Sequence, residues 1–214
     1  MKLQDLPPIV PVLPLDSPLL LPGTVVPFRA SEPRYLSLVE DAMASDGFVG
    51  ILQPIEAGRD AEDPVLYSVG CLGRIGECQE DEPGELLVLA AGIIRFRVLQ
   101  ELPGDRGYRL ALVDYGEFLD DVDEVGEELE FSTLREMVRR RIETNRAEFD
   151  LSIMDGMVGT EIVTAIAHAI ALSPAERQML METSHLYELE EVLLLLMTGM
   201  GGVPSFDVYS SRPS

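Results

Sequence analysis

The sequence predicts an α+β fold in which a β-rich N-terminal part is followed by a helical C-terminal part. Up to about residue 118, short runs of Val, Ile, Leu and Phe are separated by Pro, Gly and Asp clusters, a pattern typical of strands joined by turns. Beyond residue 130, apolar residues recur at the three- and four-residue spacing of helices. The 214 residues are 46% hydrophobic and 25% charged, a globular composition with enough length for a buried core.

Six segments carry the β pattern, and Pro-Gly pairs mark several of the turns between them. Gly accepts a positive φ and Pro presets its own φ. Turns are therefore expected at Pro22-Gly23 and at the Pro-Gly pairs within 79–85 and 102–107. The predicted strands cover residues 9–15, 24–28, 48–53, 66–78, 85–99 and 108–117.

One helix is predicted inside the β region, between the second and third strands. Pro33 suits the first turn of this helix, and Gly47 is placed to end it. Leu36, Val39 and Met43 form one apolar stripe. We expect this stripe to face the core.

Three or four helices are predicted in the C-terminal part. Ser173 offers a hydroxyl N-cap, followed by Pro at the first helical position and Glu176 at the third, which is a strong helix start. The last helix, 186–198, is leucine-rich enough to be buried on most of its circumference. The apolar faces of two earlier helices are predicted from Leu134, Val138, Ile142 and Phe149, and from Ile162, Ile166, Ala169 and Leu172.

Composition divides the chain into four predicted parts. Residues 1–118 form a β domain with one helix, 119–130 an acidic linker, 131–199 a helical domain and 200–214 a flexible tail. The segment 117–130 holds eight acids and no base. Because like charges repel, we expect a solvated connector there.

The charge of the chain argues against several functions. Acidic residues number 38 and basic residues 16, and the resulting charge of −22 repels phosphate backbones and anionic lipid, so no nucleic-acid or membrane partner is expected. The only lysine is Lys2, which leaves no internal ammonium for a Ser-Lys dyad or a Schiff base.

The sequence also predicts no membrane-spanning segment. The longest apolar run, 192–197, is far shorter than the about 20 residues that span a bilayer. Prolines break the N-terminal apolar stretch, which therefore does not resemble a secretion signal. We expect a cytoplasmic protein.

The cysteines and histidines predict neither a cofactor nor a metal site. Cys71 and Cys78 lie on one predicted strand, where their Cα atoms are about 23 Å apart and their side chains point to opposite faces, so a disulfide is excluded. His168 shares a polar helical face with Glu161 and Thr164, and His185 lies near a helix start. No ligand set converges on either histidine, and both are expected to be solvated.

Four ordered segments stand out as motifs: LDSPLLLPGTVVPFRASEPRY at 15–35, SVGCLGRI at 68–75, AGIIRFRVLQ at 91–100 and the helical stretch 173–197. Together they resemble the N-terminal substrate-binding domain of the Lon ATP-dependent proteases, in its free-standing bacterial form. The resemblance covers about residues 9–198. It implies a PUA-like β-barrel followed by an α-helical bundle, a region that helps to capture protein substrates in that family.

The family's motor and proteolytic domains are not expected in this chain. The sequence contains no G-x-x-x-x-G-K-S/T segment, and a Ser-Lys dyad needs an internal lysine that the chain lacks. We therefore expect that this polypeptide is not an enzyme, although its relatives are peptidases.

Several motif residues have both a structural and a functional interpretation. Glu32, Arg34 and Tyr35 suit a helix start, where an acid near the positive dipole end is stabilising. Alternatively, Phe28 and Tyr35 line a groove for a client segment. The motif residues expected to be structural are Pro22, Gly23, Glu32, Arg34, Gly70 and Gly92.

Arg95 and Arg97 lie two residues apart on a predicted strand, so both guanidinium groups are expected on one face and the apolar neighbours on the core face. If 102–107 closes a regular hairpin, Arg95 comes opposite Asp114 in a cross-strand ion pair. The alternative interpretation is that Arg95 and Arg97 bind a carboxylate of a client.

The leading functional hypothesis is a non-catalytic module that binds unfolded or extended segments of other proteins, as an adaptor or holdase that delivers them to a separate protease. An enzyme with an unrecognised site is the alternative, and perturbed carboxylates in a pocket near Cys71, His168 or His185 would favour it. RNA binding is a third hypothesis, because PUA-like folds include RNA binders. It would need a basic face around Arg139, Arg140, Arg141 and Arg146. The oligomeric state stays open.

Overall fold

The computed structural model describes residues 5–56, 63–122, 129–145, 156–157, 159–170 and 172–199. The strands are β1 (Ile9–Pro14), β2 (Val25–Ala30), β3 (Phe48–Leu52), β4 (Val69–Glu82), β5 (Glu85–Pro103) and β6 (Arg109–Asp114). The α-helices are α1 (Pro33–Met43), α2 (Ser132–Asn145), α3 (Glu161–Ala169), α4 (Pro174–Met181) and α5 (Leu189–Gly199), with 3₁₀-helices at Gly116–Val122 and Leu186–Glu188.

The predicted succession of six strands with one inserted helix is confirmed. The predicted flexible tail, half of the predicted acidic linker (123–128) and Phe149 lie outside the described residues.

The six strands form one mixed sheet in the order β2-β5-β4-β3-β1-β6, and β6 also pairs with β5. Strands β5, β4, β3, β1 and β6 therefore close into a ring, whereas β2 lies outside the ring against the first part of β5. β1 and β3 run parallel, and the other pairings are antiparallel. The 19 residues of β5 pair with β2 and β4 and then with β6 along successive stretches.

The β4–β5 hairpin turns on two residues, Pro83 and Gly84. Gly84 has a φ of +82°, which glycine adopts without steric cost. The sequence predicted a longer loop over 79–85. Because the turn needs only two residues, the strands continue to Glu82 on one side and from Glu85 on the other.

The inserted helix α1 buries a different stripe from the predicted one. Leu38, Val39 and Ala42 face the core, whereas Met43 is 49% exposed. The prediction that Met43 faces the core is wrong because the buried face is centred on Leu38 and Ala42, four residues apart on the helix.

The C-terminal helices pack around α5, which contacts α2, α3 and α4. Helix α5 buries Leu189, Leu193 and Met197 at four-residue spacing, whereas Leu195 is 65% exposed. Val192, Leu194 and Leu196 are partly buried against the core, so the helix is at least half-buried around most of its circumference, as the sequence predicted. Only a narrow strip that includes Leu195 and Glu191 is exposed within 189–197.

The predicted start of α4 is confirmed in full. The Glu176 backbone N–H donates to Ser173 Oγ at 3.3 Å, and the Ser173 backbone N–H donates to Glu176 Oε2 at 2.8 Å. This reciprocal pair is a capping box, which satisfies two N–H groups that the helix itself leaves unpaired.

Buried polar groups join the helices to the sheet. Arg177 on α4 donates to Gln53 Oε1 at 2.7 Å and to the Asp16 carboxylate at 2.6 Å. Gln178 Nε2 donates to the backbone oxygen of Val69 at 3.1 Å. One hydrophobic cluster contains buried residues of both the strands and the C-terminal helices. The two parts therefore share a core.

Candidate functional site

The four residues predicted to contact a client do not form one surface. Phe28 and Arg95 are buried in the core, so neither is available to a client in this structure. Tyr35 is half-buried on α1, with the Arg34 guanidinium 4.7 Å from its ring centroid. Arg97 is partly exposed on β5. The client-binding interpretations of Phe28 with Tyr35, and of Arg95 with Arg97, remain predictions, and in each pair one side chain is buried and the other is at least partly accessible.

Arg95 lies in a buried polar cluster between the sheet and the helices. Its Nε and Nη2 atoms donate to the Asp121 carboxylate at 2.9 and 2.8 Å, and its Nη1 atom donates to the backbone oxygens of Met181 (3.2 Å) and Thr183. The guanidinium lies 4.5 Å from the ring centroid of Phe118. Charge pairing, hydrogen bonds and the aromatic face together offset the loss of hydration that burial imposes.

The predicted ion pair between Arg95 and Asp114 is wrong. Asp114 lies opposite Arg97, because the β5–β6 hairpin turns within 104–108 and the pairing shifts after Val98. Arg95 faces the helices instead. The prediction of solvated acids in the connector is also wrong for Asp121, which the 3₁₀-helix Gly116–Val122 brings into contact with Arg95.

Arg97 forms an exposed ion pair with Glu117. Arg97 Nε and Nη2 donate to the two Glu117 carboxylate oxygens at 2.8 and 2.9 Å. The hydrogen bonds from Arg97 lower the pKa of Glu117, and the bond to Glu117 raises the pKa of Arg97. Because solvent screens both groups, the pair contributes little to stability.

The start of α1 holds the other predicted motif residues. Glu32 occupies the N-cap position without a side-chain hydrogen bond to the helix, and Arg34 Nε donates to Glu32 Oε2 at 2.9 Å. Burial raises the pKa of Tyr35, while the Arg34 charge opposes that rise. These contacts are local to the helix start.

The motif glycines lie where backbones approach closely. Gly23 has a φ of +80° in the turn before β2. A Cβ at Gly92 would overlap the carbonyl of Leu21, and one at Gly70 would overlap the carbonyl of Ile51. Pro22, in the same turn as Gly23, accepts a hydrogen bond from the Thr160 hydroxyl through its backbone oxygen. This bond joins the turn to the start of α3.

A groove of about 360 Å³ lies between β2 and α3. One wall is formed by four consecutive residues around the start of β2, Thr24 to Pro27. The other wall is one face of α3, whose members are spaced by three, four and seven residues: Glu161, Thr164, Ala165 and His168. Pro18 and Met157 complete the lining.

The groove is mostly apolar with a few polar groups, as protein sites for peptides and small ligands usually are. Val25 is 60% exposed, which is unusual for a β-branched strand residue. The Thr164 hydroxyl oxygen is buried and has no hydrogen-bond partner among the described residues. Glu161 and His168 carry the ionisable groups of the lining.

Sequence reasoning found one wall of this groove and missed the other. It predicted the polar face shared by Glu161, Thr164 and His168. It did not predict a site at Val25 and Pro27, although both lie in the first motif, because a single sequence does not show that α3 packs beside β2.

The residues considered for catalysis are dispersed in different surroundings. Burial raises the pKa of the Cys71 thiol, which keeps it protonated and weakly nucleophilic. His168 lies at the groove, with Nδ1 3.4 Å from Ser17 Oγ. His185 Nδ1 lies 2.9 Å from Asp120 Oδ2, and its ring stacks on Tyr187. Across the described ranges, no three His, Cys, Asp or Glu side chains are placed to hold a metal ion.

The arginines considered for RNA binding lie on α2. Arg140 Nε donates to Glu136 Oε1 at 2.7 Å, an ion pair between residues one helical turn apart. Arg146 lies outside the described residues. No described helix is long and apolar enough to cross a bilayer.

The sequence matches the family described as the ATP-dependent protease La (LON) substrate-binding domain over residues 9–199. A Lon protease of Anaeromyxobacter dehalogenans is 26% identical over 209 residues, which are 91% of this chain and 23% of that protein. Lon protease 2 of Myxococcus xanthus is 28% identical over 170 residues, 77% of this chain and 19% of that protein. The chain thus spans about a quarter or less of the length of these relatives.

Two solved structures share the fold. A Lon N-terminal domain protein from Xanthomonas campestris superposes with a TM-score of 0.61 at 24% identity, over 87% of this chain and 97% of that one. The N-terminal domain of the Mycobacterium avium complex Lon protease has a TM-score of 0.61 at 21% identity, over 89% of this chain and 98% of that one. At these identities, both similarities show a shared fold.

Proposed function

Because this chain belongs to the LON substrate-binding domain family, we propose that it is a non-catalytic module that binds unfolded or extended segments of other proteins. The observation that carries the proposal is the apolar groove between β2 and α3. It leaves an exposed valine, Val25, beside a helix face where an apolar side chain of a client would lose contact with water.

The proposed cellular role is that of an adaptor or holdase that delivers clients to a separate protease. The charge of −22 supports such a role in two ways. It keeps a protein with an exposed apolar groove soluble, and it attracts clients that carry basic residues.

The finer description of the architecture is also a proposal. From the family we infer that the strand ring is PUA-like and that residues 131–199 form a helical bundle, with the acidic segment 119–130 connecting it to residues 1–118. The free thiols of Cys71 and Cys78 suit a reducing compartment, which supports a cytoplasmic location.

A binding assay with lysozyme tests the proposed function. Lysozyme is reduced and its thiols are blocked with iodoacetamide, so that native and permanently unfolded forms of one basic protein are compared by anisotropy in about 0.15 M salt, where the Debye length is about 8 Å. We expect the unfolded form to bind and the native form not to bind. Equal binding of both forms would contradict the proposal, because it would report charge attraction alone.

Two matched variants locate the contact. Val25→Ser removes apolar surface from the groove, and Val65→Ser makes the same change at a residue that is 72% exposed and outside the groove lining. We expect Val25→Ser to weaken binding about tenfold, since burying a valine side chain contributes about 1.5 kcal/mol. Val65→Ser should leave binding within about twofold, as expected where no apolar surface is buried. Equal losses in the two variants would remove the groove from the proposal.

The same assay tests the RNA hypothesis. Labelled single-stranded RNA replaces lysozyme at the same salt concentration. We expect no binding, because the net charge of the protein repels phosphates. RNA binding tighter than that of unfolded lysozyme would favour a nucleic-acid partner instead.

A further inference from the structure

The outer edge of β2 has no strand partner in the described part of the chain. β2 pairs with β5 on one side, and the remaining strands close the ring without it. An open strand edge presents backbone N–H and C=O groups that can pair with another polypeptide. The edge of β2 is thus a place where the sheet can be extended.

The hydrogen bonds to β5 identify the backbone groups that face outward. The Gly92 N–H donates to the Thr24 oxygen at 2.8 Å, so residue 24 faces β5. In an antiparallel pair successive residues alternate between the two sides, and Val25, Pro27 and Arg29 therefore direct their backbone groups away from β5. Pro27 has no N–H. Because its backbone faces away from β5, the missing donor removes no hydrogen bond from the β2–β5 pairing.

The groove follows this open edge. Side chains on a strand alternate between faces, so a cavity above one face would be lined by every second residue. Four consecutive residues, Thr24 to Pro27, line the groove instead. The empty space therefore runs beside the strand, with α3 as its far wall.

Charge and shape indicate the kind of chain that fits this space. The groove is lined by Glu161 and His168 but by no lysine or arginine among the described residues, and the whole chain has a charge of −22. A basic side chain near Glu161 is complementary to this field. Apolar side chains at alternate positions would meet Val25 and Ala165, and the Thr164 hydroxyl can turn to a polar group of the incoming chain.

We propose that an extended client segment binds as an added strand along the outer edge of β2, with alternate apolar side chains in the groove and a lysine or arginine near Glu161. The inference rests on the proposed function and specifies its mode of binding. A second copy of this chain is not the occupant, since two copies repel through their charge. Backbone pairing would supply affinity that does not depend on the client sequence, and the groove would supply the preference for apolar and basic side chains.

The test uses an eight-residue peptide in which single Val, Leu and Lys residues alternate with Ser, so that its register is fixed. Backbone amides are methylated one at a time, and binding is measured by anisotropy. We expect methylation to weaken binding at least tenfold at every second amide and to have little effect at the amides between, because only one side of an added strand faces β2. A peptide with Glu in place of Lys should also bind at least tenfold more weakly.

Amide hydrogen exchange provides a second measurement that does not depend on the peptide. With unfolded, thiol-blocked lysozyme present, exchange of the Val25 and Arg29 amides should slow, whereas the Phe28 amide, which already faces β5, should be unchanged. Binding that needs Val25 but shows neither the alternation nor slower exchange at Val25 and Arg29 would overturn the added strand and leave the proposed function standing. Absence of lysozyme binding would overturn both.

Discussion

Arg95 and Asp121 form a buried ion pair at the junction of β5 with the C-terminal helices. Arg95 reaches Asp121, Met181 and Thr183 at once, and so joins β5 to the 3₁₀-helix Gly116–Val122 and to the end of α4. A buried charge that loses its partner keeps the cost of its lost hydration. The pair is therefore far more sensitive to substitution than an exposed one.

Asp121→Asn tests this contact. It leaves the Arg95 charge buried without a carboxylate, and we expect the free energy of unfolding to fall by about 3–5 kcal/mol. The matched control is Glu117→Gln, which removes the exposed partner of Arg97 and should change stability by less than about 1 kcal/mol. Urea unfolding followed by circular dichroism measures both variants. A similar small loss in the two would show that Asp121 is well hydrated.

The two thiols should differ in reactivity in the folded protein. Cys71 is fully buried and Cys78 is partly exposed, and burial raises the pKa of both thiols. A thiol reagent should label one cysteine per chain at neutral pH and both in urea. Labelling of Cys71 as fast as Cys78 would contradict the placement of Cys71 in the core.

The raised pKa of Cys71 also predicts a pH dependence of stability. The folded state holds the Cys71 proton more tightly than the unfolded state, whose thiol ionises near pH 8.5. This contribution is complete below that pH and is lost as pH rises above it. The free energy of unfolding should therefore fall between about pH 8.5 and 10.5 in the wild type, and less so in Cys71→Ala.

At the scale of elements, α4 depends on its own first turn. Its eight residues are too few to be stable alone, and the capping box at Ser173 and Glu176 satisfies two N–H groups at its start. The same helix carries Arg177 and Gln178, which bond to the sheet. Fraying of this turn would also loosen the contact between the helices and the sheet.

Ser173→Ala should lower the free energy of unfolding by about 1 kcal/mol, the usual contribution of a serine N-cap. Ser184→Ala makes the same change at an exposed residue between α4 and the 3₁₀-helix Leu186–Glu188, and it should have an effect within about 0.5 kcal/mol. Denaturant unfolding distinguishes the two. A loss at Ser184 equal to that at Ser173 would mean that the capping box contributes nothing specific.

Strand β2 differs from the other strands because it lies outside the ring. Its inward side chains, including Val26 and Phe28, are buried and hold it on the core, while its outer edge has no strand partner within the described ranges. The same element is therefore both structurally fixed and available for pairing. A rigid strand beside a groove suits recognition of an extended chain, because less ordering is needed on binding.

At the scale of the whole molecule, the strands and the C-terminal helices share one hydrophobic cluster and several buried polar bonds. We expect them to unfold in one cooperative transition. Four of the six tyrosines precede residue 118, and the helices that dominate circular dichroism follow it, so tyrosine fluorescence and ellipticity monitor different parts. Coincident urea transitions would support one unit; two separated transitions would show that the division near residue 118 separates independent folding units.

The sequence by itself determined the order of strands and helices, the start of α4 and the family, because these depend on local backbone preferences and on ordered motifs. Only the tertiary structure decided that Arg95 is buried against Asp121, since the hairpin register and the fold-back of an acidic segment involve residues far apart in the chain. The groove is likewise a tertiary feature. Its two walls, residues 24–27 and 161–168, are more than 130 residues apart in the sequence. No periodicity within either wall indicates that the two meet.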